Sequence, residues 1–188
     1  MNIFFLVNIE TKNDDWAIEC CKQHVDKHVV KMIIEYAQLL SSAHRILDGT
    51  EFIDDTGKRK IKRWKLHTSL ENILYKATHP KHPSAIWVRE TTTNYNILYK
   101  LFINLCDEYT YRYGKIHLTD KKLRNVLNIL PKNIIHGDMT KLPQAMPNQY
   151  KCDWSIQAYH NYYIGDKQHI AKWTKRHPPE WFTFKDKN

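Results

Sequence analysis

DWAIECCKQHVDKHVVKMIIEYAQLLSSAHRIL, residues 15–47, decides how the rest of this chain must be arranged. Wound at about 100° per residue, it is apolar around well over half its circumference, through Val25, Val29, Val30, Met32, Ile33, Ile34, Tyr36, Ala37, Leu39, Leu40 and Ala43. A narrow polar ridge of Cys20, His24, His28, Lys31, Glu35, Gln38 and Ser42 follows the other side. A surface helix has the opposite proportions, one apolar stripe on a polar rod. The pattern therefore predicts one continuous central helix whose polar ridge lines a groove.

Two residues break the pattern: Asp26 falls within the apolar face, and His44 lies on the same line near the other end. A carboxylate in apolar surroundings is unfavourable unless paired. Burial raises its pKa, which is how acid/base groups are made. The structural alternative is neutralisation by Lys22, four residues earlier. Both readings of Asp26 stand.

Around this helix the 188 residues read as one domain. Its parts are an N-terminal segment and central helix (1–50), a basic hairpin (51–66), a helical core (67–130) and an irregular link with helices and an aromatic-basic tail (131–188). The class is mainly α with a small β-hairpin. The formal net charge of +9 suits a polyanion, nucleic acid being the commonest. Cys20 and Cys21 are adjacent and no CxxC spacing exists, which fits a reducing compartment. MNIFFLVNIE has no basic region ahead of its short apolar run, so it does not read as a signal peptide. No stretch approaches the roughly 20 apolar residues of a membrane span. The expectation is an intracellular protein, in host cytoplasm or nucleus, with no membrane partner.

In chain order, Asn2–Asn8 reads as a strand or extended segment, and Asn13, Asp14 and Asp15 as a helix cap. Gly49 closes the central helix. Asp55-Thr56-Gly57 is a turn between alternating arms, the second carrying six bases, no acid and Trp64. Arg63 and Trp64 are its candidate nucleic-acid contacts, against a merely solvated loop. Helices are expected over 69–77, from a cap at Asn94 to Tyr113, over 119–130, over 154–164 and over 166–175, with Gly165 as a breaker. Residues 159–184 interleave aromatics with bases, including Arg176 and Trp181, as single-strand-binding surfaces do. Trp173 is expected to pack, with Trp181 and Phe182 open. Arg89 and Arg112 are further phosphate candidates.

Cys20, His24 and His28 stand at i, i+4 and i+8. Residues four apart can share zinc, but three along one helix span about 12 Å, so at most two could hold one ion, with others such as His79 or His82 completing it. Without a metal, His24, His28, Lys27 and Lys31 form a cluster suited to a phosphate. Glu35, on the same ridge, is a second candidate catalytic carboxylate beside Asp26, and Lys27 a candidate catalytic base. No GxGxxG, P-loop, GxSxG or HExxH motif is present, which argues against a nucleotide cofactor, NTPase, α/β-hydrolase or zincin chemistry.

HVDKHVVKM, EYAQLLSSAHR, HPSAIWVRETTTNY, CDEYTYRYGK and KWTKRHPPEWF resemble a family of small uncharacterised proteins of large phages and giant viruses, over most of the chain. In that family a Cys often precedes the DKH, where this chain has Val25. The order of a short apolar start, a helix carboxylate flanked by bases and an aromatic-basic tail is similar to the phage pyrimidine-dimer DNA glycosylases of the endonuclease V type. That likeness implies a small all-α enzyme with an N-terminal amine nucleophile and no cofactor. Asp26 would match the carboxylate, Lys27 and Lys31 the arginines, residues 111–114 the helix end, and Trp181-Phe182 the aromatic tail. Asp replaces Glu, Lys replaces Arg, and Met1-Asn2 is a poor site for initiator removal, so the amine would be that of Met1 or a lysine.

The expected function is a DNA glycosylase or glycosylase/AP lyase acting on a damaged or modified base, on double-stranded DNA, with the nucleotide flipped from the stack. The alternatives are a non-catalytic nucleic-acid-binding viral protein and a metal-dependent nuclease.

Overall fold

The computed structural model describes residues 1–9 and 15–184. The expected caps Asn13 and Asp14 lie outside them. Within the deciding stretch the helix breaks once. α1 (Trp16–Lys22) stops, and α2 (Asp26–Asp48) starts after an extended Val25. The single helix expected over 15–47 is thus two. His24 fills the break, its Nδ1 2.8 Å from the Cys20 carbonyl oxygen and its Nε2 3.2 Å from the Tyr36 hydroxyl. Arg112 closes it, donating to the carbonyls of Lys22 and His24 at 2.9 Å each. Carbonyls released at a helix end need such partners, and here a guanidinium from a distant helix supplies them.

α2 is central as expected, with Lys27, Val30, Lys31 and Ile34 as its exposed residues. The apolar face is buried as expected except at Val30 and Ile34, each 40% exposed, and the ridge is covered as well: His24, His28, Glu35 and Ser42 are buried. The ridge does not line an open groove, because the N-terminal segment lies across it. Residues 2–6 belong to no helix or sheet. Side chains hold them instead: the Phe4 amide donates to the Tyr36 hydroxyl, Cys20 Sγ donates to the Phe4 carbonyl, and the Leu6 amide donates to Cys20 Sγ. The Phe4 ring stacks on His28 at 4.4 Å.

The hairpin pairs β1 (Thr50–Asp54) with β2 (Ile61–Lys65) antiparallel, Thr50 opposite Lys65 and Asp54 opposite Ile61. Gly49 ends α2 with its amide on the Arg45 carbonyl. The helix expected over 69–77 is only a 3-10 turn, Ser69–Asn72. Buried Arg45 explains this, since its guanidinium takes the carbonyls of Trp64, Glu71, Leu74 and Tyr75 for itself.

α3 (Pro83–Val88) starts on a His82 cap and leads into α4 (Thr92–Tyr113). Thr91, not Asn94, caps α4; Asn94 donates to the Trp87 carbonyl and Thr140 Oγ1 instead. Gly114 ends α4 in the left-handed region, φ 66°, where glycine carries no steric penalty. α5 (Leu118–Leu123) is shorter than expected and is capped by His117. α6 (Ser155–Asp166) runs through Gly165, and a 3-10 turn at Gln168–Ile170 replaces the expected last helix. The result is mainly α with one small hairpin. One contiguous set of buried side chains runs from Ile3 to Phe182, with Tyr36, Tyr95, Tyr159 and Tyr163 its largest fully buried members. Among the described residues no helix is long and apolar enough to cross a membrane.

Candidate functional site

The two candidate carboxylates occupy different places. Asp26 opens α2, and all its oxygens are taken. Arg112 donates to Oδ1 at 2.9 Å, as does the Thr174 amide, and the Thr174 hydroxyl donates to Oδ2 at 2.7 Å. Although burial opposes it, these bonds and the Arg112 charge hold the Asp26 carboxyl below its usual range. A carboxylate so held stays ionised and does not relay protons at neutral pH. Lys22, its expected partner, bonds Glu19 instead.

Arg112 also donates to Glu108 Oε1 at 2.6 Å, and Arg176 grips both Glu108 oxygens at 3.0 and 2.8 Å while lying over the Tyr111 ring. Asp26, Arg112, Glu108 and Arg176 therefore form a closed ionic network joining α1, α2, α4 and the tail. The fully buried Arg112 side chain is not placed to meet a phosphate.

The tail packs by the same logic. Trp173 donates to the Gln23 carbonyl, and Trp181 donates to Gln23 Oε1 at 2.6 Å and stacks on His160 at 3.9 Å. Phe182 is buried. Trp173 packs as expected, and Trp181 and Phe182 join it. Arg89 turns back on its own helix, donating to the Ala85 carbonyl.

The histidines of the ridge are engaged as well. Both His24 nitrogens face partners, and His28 Nδ1 lies 2.6 Å from the Tyr163 hydroxyl. Burial pushes His24 down to about 4 and His28 to about 2, keeping both imidazoles neutral. Neither is placed to hold a phosphate. Among the described residues no group of three or more His, Cys, Asp or Glu side chains is arranged to hold a metal ion. Burial also pushes the Cys20 thiol up to about 12. At neutral pH it is a packing group and a hydrogen-bond partner, not a thiolate.

Glu35 is different. Its carboxylate is the meeting point of three nitrogens: the Asn2 amide donates to Oε2 at 3.0 Å, the Met1 amine lies 4.0 Å from the same oxygen, and Lys31 Nζ is 3.2 Å from Oε1. The Glu35 side chain is 12% exposed and that of Lys31 69%, so the cluster reaches solvent along the open face of α2. Asn2 is fixed from behind, its side chain donating to the Ala145 carbonyl and accepting from the Tyr159 hydroxyl.

His82 shares this environment. Burial lowers its pKa, the charges of the Met1 amine and His79 lower it further, and Glu35 opposes them. Its Nδ1 accepts from the Ser84 amide at 3.2 Å, leaving Nε2 to carry the proton of the neutral ring. A neutral imidazole, a carboxylate and two amines within one neighbourhood are the parts of amine-based covalent chemistry.

Of the residues singled out in the sequence, Glu35 and Lys31 are brought together, and Lys27 stands one turn earlier on the same exposed face. Asp26, Arg112, Arg176 and Trp181 are gathered elsewhere, and Arg63 and Trp64 lie on the hairpin. Nothing in the sequence signals that Asn2 and His82 neighbour Glu35, and His82 stands out there only as a possible metal ligand. No protein-family model, curated protein or solved structure matches the chain.

Proposed function

We propose that this protein is a DNA glycosylase/AP lyase whose nucleophile is the Met1 amine and whose carboxylate is Glu35. The observation that supports it is the amine held 4.0 Å from Glu35, a carboxylate already oriented by the Asn2 amide and Lys31. The acid/base role considered for Asp26 passes to Glu35, since Asp26 is closed into its ion pair.

In this chemistry the deprotonated amine attacks C1′ of a flipped nucleotide. The C1′–N bond breaks, and its electron pair leaves with the base, which takes up a proton. The C1′–O4′ bond then opens, O4′ takes a proton and a protonated imine remains. Removal of a C2′ proton expels the 3′-phosphate and cuts the strand. Glu35 would stabilise the positive charge developing on the sugar and carry the proton to O4′. His82 Nε2 would take part in proton transfer and Lys31 in phosphate contact. The sequence of steps consumes no cofactor.

Borohydride trapping on labelled duplexes with ultraviolet-dimer, abasic, uracil, hydroxymethyl-pyrimidine and normal sites tests this. The expected result is an adduct mapped to Met1, lost in Glu35→Gln and kept in Asp26→Asn. An adduct at Lys31 would move the nucleophile there. No adduct and no cleavage on any duplex overturns the enzyme reading. Salt-dependent binding to every duplex would then favour the second reading, a non-catalytic nucleic-acid-binding protein. The observation favouring that second reading is the exposed basic tip of the hairpin at Lys58, Arg59 and Lys60, unpaired among the described residues.

A further inference from the structure

A groove of about 430 Å³ lies between β2 and residues 75–80, with Ile61, Lys62 and Arg63 on one wall, Lys76 and His79 on the other, and Gln38 of α2 among its lining. Gln38 stands three residues, about 4.5 Å of helix rise, beyond Glu35. His79, on the far wall, is close enough for its charge to act on His82, which also feels the Met1 amine and Glu35. Through Gln38 the groove's lining comes within one helical turn of Glu35.

Ile61, on the groove's wall, follows the hairpin tip directly in the chain. Asp54 shapes that turn by accepting from the Thr56 amide and hydroxyl. Beyond it Lys58, Arg59 and Lys60 are exposed, with no ion pair or hydrogen bond to any described residue. On the walls Lys62 is tied to Glu51, whereas Lys76 is exposed and has no partner among the described residues. Arg63 Nε sits 3.5 Å from Asp54 but makes no hydrogen bond. His79 holds a left-handed backbone, φ 48°, braced by the Thr78 hydroxyl 2.6 Å from its Nδ1. Such strain in a non-glycine residue collects at functional sites. Three cations just before Ile61 in the chain, with no partner among the described residues, further cations along the walls and exposed Ile61 itself match a chain of phosphates carrying planar, partly apolar groups.

We propose that this groove carries one strand of nucleic acid, with Lys58, Arg59, Lys60 and Lys76 on its phosphates; that the strand then runs to Glu35 rests on the function proposed above. The test is fluorescence anisotropy with a labelled 20-nucleotide duplex and its single strand, from 50 to 300 mM NaCl. Wild type is compared with Lys58→Ser/Arg59→Ser/Lys60→Ser and with Lys76→Ser, all at exposed positions with no partner to lose among the described residues. For the triple variant we expect affinity at 100 mM salt to fall about tenfold or more, and the slope of log Kd against log salt to fall by about 2 to 3, one phosphate per lost cation. Lys76→Ser should remove about one unit of slope. Unchanged affinity and slope in both variants overturn the groove and leave the hairpin to an acidic protein partner. Trapping by the wild-type chain reads the amine separately. Failed trapping with hairpin-dependent binding overturns the enzyme and keeps the groove, and successful trapping with hairpin-independent binding does the reverse.

Discussion

Arg112 reaches across the break between α1 and α2 to Asp26, its NH1 2.9 Å from Oδ1, while Thr174 of the tail approaches the same oxygen from the other side. One carboxylate thus ties the central helix to α4 and to the C-terminal segment. The bonding explains why an acid opens α2. It faces the helix N-terminus, where a negative charge is favoured, and it neutralises a guanidinium that has no access to water.

Asp26→Asn should therefore lower stability and leave chemistry alone. Removing one member of a buried ion pair leaves an uncompensated charge, at about 3–5 kcal/mol. Glu108 still pairs with Arg112, so we expect the lower part of that range. Urea unfolding at pH 7 measures it. Adduct formation below the melting temperature should match wild type, and an intact Tm would show that the network is not structural.

The buried histidines give a pH dependence of definite sign. His24 and His28 titrate at about 4 and about 2 in the folded protein, against about 6.5 unfolded. Above pH 6.5 both states hold them neutral and nothing is gained or lost. Below it the unfolded chain binds protons that the folded chain refuses, so stability falls. Between pH 6 and 4.5 each histidine should remove up to roughly 1.4 kcal/mol per pH unit. Asp26, with its lowered folded pKa, adds a loss only below the usual carboxylate range. Urea midpoints at pH 7, 6, 5 and 4.5 check this, and equal midpoints would mean that the rings are solvated.

The central helix, the hairpin and the end of α4 at Tyr113 were legible because periodicity and turn chemistry are local. The break at residues 23–25 was not. Every residue there is compatible with helix, and the partners that stabilise the break, Arg112 and Tyr36, come from other turns and helices. The same reason hid the partners of the two candidate carboxylates. Asp26 stood out against an apolar face that is in fact occupied by Arg112 and Thr174, whereas nothing near Glu35 in the sequence announced the N-terminal amine. Only the N-terminal segment folding over the polar ridge gives Glu35 its amine. The ridge itself was read as open because polar residues on a helix usually face water, yet the Phe4, Tyr159 and Tyr163 rings cover it.

Arg45→Lys should loosen the hairpin while leaving α2 in place. The guanidinium donates five hydrogen bonds, four to carbonyls and one to Glu71 Oε2 at 2.7 Å, in a fork that an ammonium cannot reproduce. Each buried acceptor left unpaired costs about 1–3 kcal/mol, partly recovered by water at this edge. We expect a loss of roughly 2–4 kcal/mol on those terms. Amide hydrogen exchange should accelerate in residues 50–75 before it does so in α4. Uniform acceleration would mean that Arg45 supports the whole core and not this corner.

Gly165 offers a test in which propensity and packing disagree. It lies inside α6, where replacing glycine by alanine ordinarily stabilises by about 1 kcal/mol. A Cβ at 165, however, would stand 2.2 Å from Cε1 and 2.6 Å from the hydroxyl oxygen of Tyr150. The ring would have to leave, and with it the hydrogen bond from the Tyr150 hydroxyl to Asp166 and the contact with Tyr162. Overpacking of this kind costs about 1–3 kcal/mol, so Gly165→Ala should destabilise on balance. Paired with Tyr150→Ala, which clears the space, the same substitution should become neutral or favourable. A double-mutant cycle by thermal unfolding reads the coupling. A Gly165→Ala variant more stable than wild type would show that the tyrosine has room to move, and that glycine is not required for the close approach of residue 150 to α6.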